Sequence, residues 1–462
     1  MHHYKRLSFL RAFFFFKRSG PCFRNVVLRI YLPLISTMNI LIIGNGGREH
    51  AFAWKIKESP LCKNLYVAPG NAGTSLVAAN VPIAVDDFNN LRTFCIDKKI
   101  DLILVGPEVP LVKGIRDYFE NDFTLKDILL VGPCKIGAQL EGSKDFSKQF
   151  MLRHHIPTAK ARTFFSHQTK EAQQYIEGFK PPIVLKADGL AAGKGVVIAT
   201  SILEAKTALQ EMLEEKKFGE ASAKVLVEEF LDGIELSVFV LTDGKDYVIL
   251  PEAKDYKRIG DHDTGPNTGG MGSVSPVPFA DSLFMKKVEE KIIKSTVNGL
   301  KKDGINYQGF IFIGLMKVKD EPYVIEYNAR MGDPETQSVM MRIKNDFAEL
   351  LIACAKGELK NQSIEIDPSF AVTVVMAAGG YPENYEKGKV ISGLDEVTAQ
   401  VFHAGTKSID NRILTDGGRV LAVTGKGKNL TEAIQSSYNS VQKINWENSY
   451  HRKDIGQDLL KL

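Results

Sequence analysis

The sequence predicts a multidomain protein of mixed α/β and α+β class, with an open parallel sheet at the N-terminal end and a small β-rich domain at the C-terminal end. Three observations carry this prediction. The 462 residues exceed what one compact core accommodates and suggest about three domains. Between residues 39 and 140, short apolar runs that end on Gly or Pro alternate with polar, helix-like stretches, the pattern of a doubly wound sheet. From about residue 367 helical patterning gives way to strands and turns.

Composition narrows the class. The chain is 44% hydrophobic and 25% charged, ordinary for a soluble globular protein. Five scattered cysteines with no Cys-x-x-Cys pair argue for a reducing compartment and against a disulfide framework or a thiolate zinc site. No apolar run is long enough to span a bilayer. The net charge of +4 is local in origin: residues 1–37 hold seven basic side chains and no Asp or Glu, so the remaining chain is slightly acidic and gives no reason to expect a nucleic-acid partner. That leader, with "RAFFFFKRSG", reads as a targeting segment, a basic membrane-surface helix or sequence upstream of the true start. Met38, directly before the first strand, favours the last.

In chain order, "NILIIG", "NLYVAP", "DLILVGPE" and "ILLVGP" read as buried parallel strands, and "REHAFAWKIKESP" as the first crossover helix, stopped before Pro60. In "EGSKDFSKQFMLRHHIPT", Ser143 suits an N-cap, Phe146 and Phe150 share a helical face, and Pro157 ends the segment. A further α/β unit follows, with strands at "PPIVLKAD", "GVVIAT" and "KVLVEEFL" and a helix at "LEAKTALQEMLEEK". Longer strands are expected over 236–251 and 309–328, then the C-terminal strands "FAVTVVMAAGGYP", "AQVFHAG" and "GGRVLAVTGKG", and a last helix, "LTEAIQSSYNSVQKI", capped by Thr431.

Five stretches carry chemistry. "GNGGREH" begins like a dinucleotide fingerprint, with Gly44 and Gly46, but Glu49 stands where the third glycine belongs and the second strand ends without a carboxylate. Arg48 and His50 at the helix entrance suit a lone phosphate monoester, against a tight turn that holds nothing. "KADGLAAGKGV" is too glycine-rich to pack and suits a loop over a triphosphate, with Lys186, Lys194, Lys144 and Lys148 as cations. It lacks the hydroxyl of a P-loop, and each lysine alone reads as a solvated charge. In "VLVEEFLDGIELS", alternation puts Glu229 with Val225 and Val227, and Glu228 with Leu226 and Phe230. The two glutamates either meet a nucleotide or point to water from an edge strand. "GDHDTGPNTGGMGSVSP" reads as a long structured loop. In "YVIEYNARMGDPETQ", Glu326, Asn328 and Arg330 are spaced by two and project from one strand face, with Ile325 and Tyr327 opposite. Glu326 and Asn328 are hard oxygen ligands suited to magnesium, and Arg330 suits a carboxylate or phosphoryl group. No nucleophile triad can be assembled, and the remaining histidines read as structural.

These motifs, together with "VGPEVPLVKG", "QLEGSK", "MAAGGYP" and "FHAGT" in the same order, resemble the phosphoribosylamine–glycine ligase family of the ATP-grasp superfamily from Met38 to about residue 456. The resemblance implies an N-terminal phosphoribosylamine-binding domain (38–140), an ATP-grasp domain (141–366, lid about 158–227) and a C-terminal β-rich domain (367–462). It implies ligation of glycine to 5-phosphoribosylamine through glycyl phosphate, with ATP as co-substrate and Mg²⁺ or Mn²⁺ as cofactor, in a cytoplasmic monomer without membrane or nucleic-acid partners. By the same resemblance, Lys144, Lys186 and the loop with Gly193, Lys194 and Gly195 meet ATP phosphates; Glu228, Glu229, Phe230 and Leu231 meet adenine; Glu235 meets the ribose. Glu326 and Asn328 become the metal ligands, and Arg330, Asp263 and Asn267 the catalytic group near glycine. Gly44, Asn45, Gly46, Gly47, Arg48, Glu49, His50, Asp333, Pro334, Glu335 and Thr336 become substrate-binding residues. Rival readings are a sister ATP-grasp ligase of purine synthesis, a nicotinamide-dependent oxidoreductase and a non-catalytic nucleotide sensor.

Overall fold

The computed structural model describes residues 37–189, 195–214 and 223–461, and the backbone of two short paired strands, Phe9–Arg11 and Tyr31–Pro33. The first unit is an open parallel sheet of β1 (Met38–Gly44), β2 (Cys62–Pro69), β3 (Ala79–Asn80), β4 (Leu102–Val105) and β5 (Leu129–Val131), in the order β3-β2-β1-β4-β5. The alternation along β1 explains why helices cover both faces. Ile40 and Ile42 pack with Phe52 of α1 (Gly47–Lys57), whereas Leu41 and Ile43 pack with Leu91 and Cys95 of α2 (Phe88–Lys98). Two short helices follow β4, α3 (Glu108–Lys113) and α4 (Ile115–Glu120), then α5 (Gln139–Gly142) and α6 (Lys144–Arg153). Ser143 caps α6 as expected, its hydroxyl accepting from Phe146 N at 3.1 Å.

The second unit is a four-stranded antiparallel sheet in the order β8-β7-β9-β6, formed by β6 (Ala161–Phe165), β7 (Ile183–Ala187), β8 (Val196–Ala199) and β9 (Lys224–Glu229). Helices α7 (Thr169–Glu177) and α8 (Ile202–Leu213) bury Ile176, Leu209 and Met212 against Leu185, Val225 and Val227. Because β9 lies between β7 and β6, the expected alternative of an edge strand with both glutamates in water is excluded.

The third sheet joins what sequence patterning separated. Strands β10 (Ile234–Thr242), β11 (Tyr247–Asp255), β14 (Gly272–Ser275), β15 (Gly309–Val318), β16 (Glu321–Asn328), β17 (Phe370–Ala377), β18 (Gln400–His403) and β21 (Arg419–Gly427) form one antiparallel sheet. Its order is β16-β15-β10-β11-β14-β17-β21-β18. The two long strands expected over 236–251 and 309–328 are hairpins, broken at Asp243–Asp246 and Lys319–Asp320. The stretch 260–276, expected as a loop without regular elements, contains β13 (Thr264–Asn267), which pairs with β12 (Arg258–Gly260), and all of β14.

Helices α9 (Ser282–Val288) and α10 (Lys294–Lys302) cover one face of this sheet, and α11 (Glu335–Met340) and α12 (Phe347–Lys356) join it to the first unit. There Phe52 stacks on Phe310 and Phe347, each at 5.8 Å between centroids. A small hairpin, β19 (Thr406–Ile409) and β20 (Arg412–Thr415), precedes β21, and α13 (Leu430–Val441) packs on β21 and β17. The cap of α13 is Asn429, whose side chain accepts from Glu432 N at 2.9 Å; Thr431, expected as the cap, lies inside the helix.

Candidate functional site

A cleft of about 430 Å³ opens between the second unit and the edge of the large sheet. One wall is cationic. Lys144 and Lys148, one turn apart on α6, and Lys186 at the end of β7 all line it, and Glu228, 3% exposed, lies between Lys148 and Lys186. Glu228 Oε1 is 2.7 Å from Lys148 Nζ and Oε2 is 2.6 Å from Lys186 Nζ. Lys148 also donates to Thr158 Oγ1 (2.7 Å) and Ala159 O (3.1 Å), Lys186 to Ile325 O (2.9 Å) and Lys144 to Gly189 O (3.0 Å). Burial raises Glu228, but Lys186 and Lys148 outweigh it and hold the carboxyl below its usual range. Burial pulls Lys144 and Lys148 down from theirs.

The opposite wall is the end of β16. Its alternation is broken: Gly314 of β15 faces Glu326 and Leu315 faces Val324, so Ile325 is an extra residue in a β-bulge. The expected strict row is corrected accordingly. Ile325 lines the cleft beside Glu326 and Asn328, while Val324 and Tyr327 enter the core. Gly314 is required opposite Glu326, because a Cβ there would come within 2.9 Å of Glu326 Cγ. Burial raises Glu326, yet Lys257, Lys186 and Lys144 overcome it and keep the carboxylate ionised. The amide of Asn328 is satisfied in one orientation, with its nitrogen donating to Glu141 Oε1 (3.3 Å) and Tyr327 O (3.1 Å). Its oxygen then points away from Glu141.

Arg330 lies beyond the strand and does not continue the row. Its guanidinium meets Glu141 Oε1 at 2.7 Å and Glu108 Oε2 at 3.5 Å. Glu235 pairs with Lys257, which also lies 3.7 Å from Glu326 Oε1. Glu229 accepts from Lys160 N at 2.8 Å, and Phe230 and Leu231 follow in the connection to β10. Gly195 accepts from Ala187 N at 2.8 Å; Gly193 and Lys194 lie outside the described residues. Asp263 and Asn267 do not line the cleft. Asp263 accepts from Arg452 Nη1 at 2.7 Å, a contact with the C-terminal segment, and Asn267 pairs with Arg258. Among the described residues, no cluster of three or more His, Cys, Asp or Glu side chains could hold a metal ion.

The glycine turn after β1 is fuller than its sequence suggests. Glu49 folds beneath it, where a Cβ on Gly44 would lie 2.4 Å from its Cγ and one on Gly106 2.1 Å from its Oε1. Its carboxylate accepts from Gly46 N and Arg48 Nε, both at 2.6 Å. Glu49, at the third-glycine position, is therefore a self-cap that occupies the Gly46 amide. Arg48 and His50, expected to face a phosphate, are buried. Arg48 donates to Met331 O (3.0 Å), and His50 Nδ1 accepts from His403 N (2.8 Å), with burial pushing His50 down to about 3. Asn45 O accepts from Asn71 at 2.8 Å, and a Cβ on Gly47 would meet the Gln337 amide.

Asp333, Pro334, Glu335 and Thr336 close over this turn from the other side. Asp333 Oδ2 accepts from Arg48 N (3.3 Å), and its backbone oxygen from Arg419 Nη1 (2.5 Å). Pro334 O accepts from Ser273 Oγ (2.8 Å), and Thr336 bonds back to Gly332 O. Burial, joined by Asp255, pushes Glu335 up to about 8. Sequence reasoning missed Glu108, Glu141, Lys257 and Arg419 as site residues. Of these, Glu108, Glu141 and Arg419 stand in the stretches "VGPEVPLVKG", "QLEGSK" and "GGRVLAVTGKG", without a signal that marks them as site residues.

Family models for phosphoribosylglycinamide synthetase match three consecutive parts of the chain: the N domain over 38–141, the ATP-grasp (A) domain over 142–336 and the C domain over 371–458. The chain is 47% identical over 425 residues to phosphoribosylamine–glycine ligase of Vibrio vulnificus (strain CMCP6), covering 91% of this chain and 98% of that one. It is 47% identical over 426 residues, with the same coverage, to the enzyme of that name from Escherichia coli (strain K12). The crystal structure of phosphoribosylamine–glycine ligase from Thermotoga maritima is similar at a TM-score of 0.78 and 36% identity, covering 90% of this chain and all of that one. Biotin carboxylase from Campylobacter jejuni, in complex with β,γ-ATP, is similar at a TM-score of 0.68 over 93% of this chain and 96% of that one; at 15% identity this shows the fold alone.

Proposed function

The chain belongs to the phosphoribosylglycinamide synthetase family, and from that premise we propose that its cleft ligates glycine to 5-phosphoribosylamine with ATP. The products are glycinamide ribonucleotide, ADP and phosphate, and the reaction belongs to purine biosynthesis. The observation that carries this reading is the placement of Lys144, Lys148 and Lys186, the last two held by Glu228, across one cleft from Glu326 and Asn328.

In the first step a glycine carboxylate oxygen bonds to the γ-phosphorus of ATP as the bond to the β,γ-bridging oxygen breaks, releasing ADP. In the second, the amine of phosphoribosylamine attacks the acyl carbon of glycyl phosphate, phosphate leaves and the nitrogen loses a proton. Neither step needs a protein nucleophile, only neutralised phosphoryl oxygens and aligned reactants. Lys144 and Lys186, with Gly193, Lys194 and Gly195, meet and neutralise the phosphates. Glu235 holds the ribose, the 228–231 backbone reads adenine, and Arg330 attends the reacting carboxylate. The turn 44–50 and residues 333–336 receive the sugar phosphate.

The donor set fits a divalent ion: the Lys257, Lys186 and Lys144 charges hold Glu326 below its usual range, the Asn328 amide oxygen points away from Glu141 once its nitrogen is satisfied, and two hard oxygens suit a cation that takes its other ligands from water and phosphates. Mg²⁺ or Mn²⁺ held by Glu326 and Asn328 supplies charge neutralisation at the triphosphate. The proposed domains are 38–140, 141–366 and 367–462, in a cytoplasmic monomer; no helix of the described residues is long and apolar enough to cross a membrane. The test is ADP release with glycine and freshly prepared phosphoribosylamine. Release that requires both, and that is lost in Glu326→Ala, is expected; release independent of glycine refutes the reading.

A further inference from the structure

The end of β16 is fixed by a residue from another element. Glu141, in α5, has a side chain only 5% exposed, and its two oxygens take three donors from three consecutive residues. In the amide orientation that satisfies Asn328, Oε1 accepts from its nitrogen (3.3 Å); Oε1 also lies 2.7 Å from Arg330 Nη2, and Oε2 accepts from Ala329 N (2.9 Å). A carboxylate accepts only, so it can face three donors at once; no other side chain of this size can.

We propose that Glu141 is a positioning residue for the metal, one that turns the Asn328 amide so that its oxygen, and never its nitrogen, is presented to the cation. The assignment rests on the reading of Glu326 and Asn328 as metal ligands and extends it to a group that touches neither metal nor substrate. Two features give it physical weight. An amide has nearly equal-sized ends, and Glu141 Oε1 joins Tyr327 O (3.1 Å) in accepting from the Asn328 nitrogen, so that turning the nitrogen toward a cation, which it repels, costs both bonds. Arg330, held by the same carboxylate and by Glu108 of the N-terminal unit, fixes the carboxylate in turn, so the metal row is tied to the domain that carries the glycine turn.

The experiment is a polarity swap read by Mn²⁺ binding, in the presence of a non-hydrolysable ATP analogue, by electron paramagnetic resonance of the free ion. Glu141→Gln cannot satisfy all three donors, and Asn328→Asp sets two carboxylates against each other. Each single variant is expected to weaken Mn²⁺ binding by about 10-fold or more, the usual loss when a residue orienting a ligand is removed. The double variant, in which a Gln amide donates to an Asp carboxylate, is expected to bind more tightly than either single. A Glu141→Gln protein that binds like the wild type, or a double variant no tighter than both singles, overturns the proposal. The comparison of the double variant with Asn328→Asp stands even where Glu141→Gln folds poorly alone. Glu326→Ala separates the two levels. Unchanged Mn²⁺ binding there refutes the metal reading itself, whereas lost binding there beside normal binding in Glu141→Gln refutes the role of Glu141 only.

Discussion

Glu228→Gln tests the electrostatics of the cleft most directly. The substitution keeps shape and removes one negative charge from between two ammonium groups, at 2.7 and 2.6 Å. Lys148 retains Thr158 Oγ1 and Ala159 O, and Lys186 retains Ile325 O, but the new amide oxygen can serve only one of them. Removing one partner of a buried ion pair costs about 3–5 kcal/mol, because the remaining charge stays desolvated. In a unit of 150–250 residues each kcal/mol lowers the melting midpoint by about 2–4 °C, so a fall of about 6–20 °C is expected. Thermal unfolding by circular dichroism measures it. An anionic ATP analogue restores the missing counter-charge, so the analogue should raise the midpoint more in the variant than in the wild type. A variant that melts with the wild type, or gains no more from the analogue, would refute the argument that the lysines form a phosphate site held ready by Glu228.

Two other perturbations probe the neighbouring turns. Glu335, pushed up from 4.5 to about 8 by burial and Asp255, keeps in the folded state a proton that the unfolded chain releases. Its contribution to stability is complete below about 4.5 and is lost as pH rises through about 8; Glu335→Gln should therefore lose less denaturation midpoint between pH 6 and pH 9 than the wild type, and an equal loss contradicts this. Gly106→Ala places a Cβ 2.1 Å from Glu49 Oε1, which Arg48 Nε holds while Gly46 N holds Oε2, so the carboxylate cannot retreat; a destabilisation of about 1–3 kcal/mol in urea titration is expected, and an unchanged midpoint means Glu49 is not locked.

Four strands of the parallel sheet were legible because they carry apolar runs that end on turn residues, whereas β3, two exposed residues, carries no such run. The Ser143 cap was legible for the same local reason. The β-bulge at Ile325 was not, since its cause is Gly314 on the partner strand, where a glycine makes space for Glu326. The same holds for Glu49: its spacing excluded the dinucleotide fingerprint, but only the fold shows the carboxylate filling the gap between Gly44 and Gly106. The residue types at 326 and 328 pointed to a cation, whereas Lys257 and Glu141 reach the site through pairings across long sequence separations. Asp263 stood in a suggestive motif and turned out to be bonded to Arg452, which no local signal announced.

The shared eight-stranded sheet has a practical consequence for anyone dissecting this chain. Strand β14 is four residues long and completely buried, flanked by β11 on one side and by β17 on the other. Cutting the chain before residue 367 would strip β17 away and leave a bare row of amides and carbonyls on an apolar ribbon, an invitation to pair with any passing chain. The last hundred residues are thus better regarded as part of the floor on which the rest stands than as a detachable module, and fragments ending there should be recovered as aggregates.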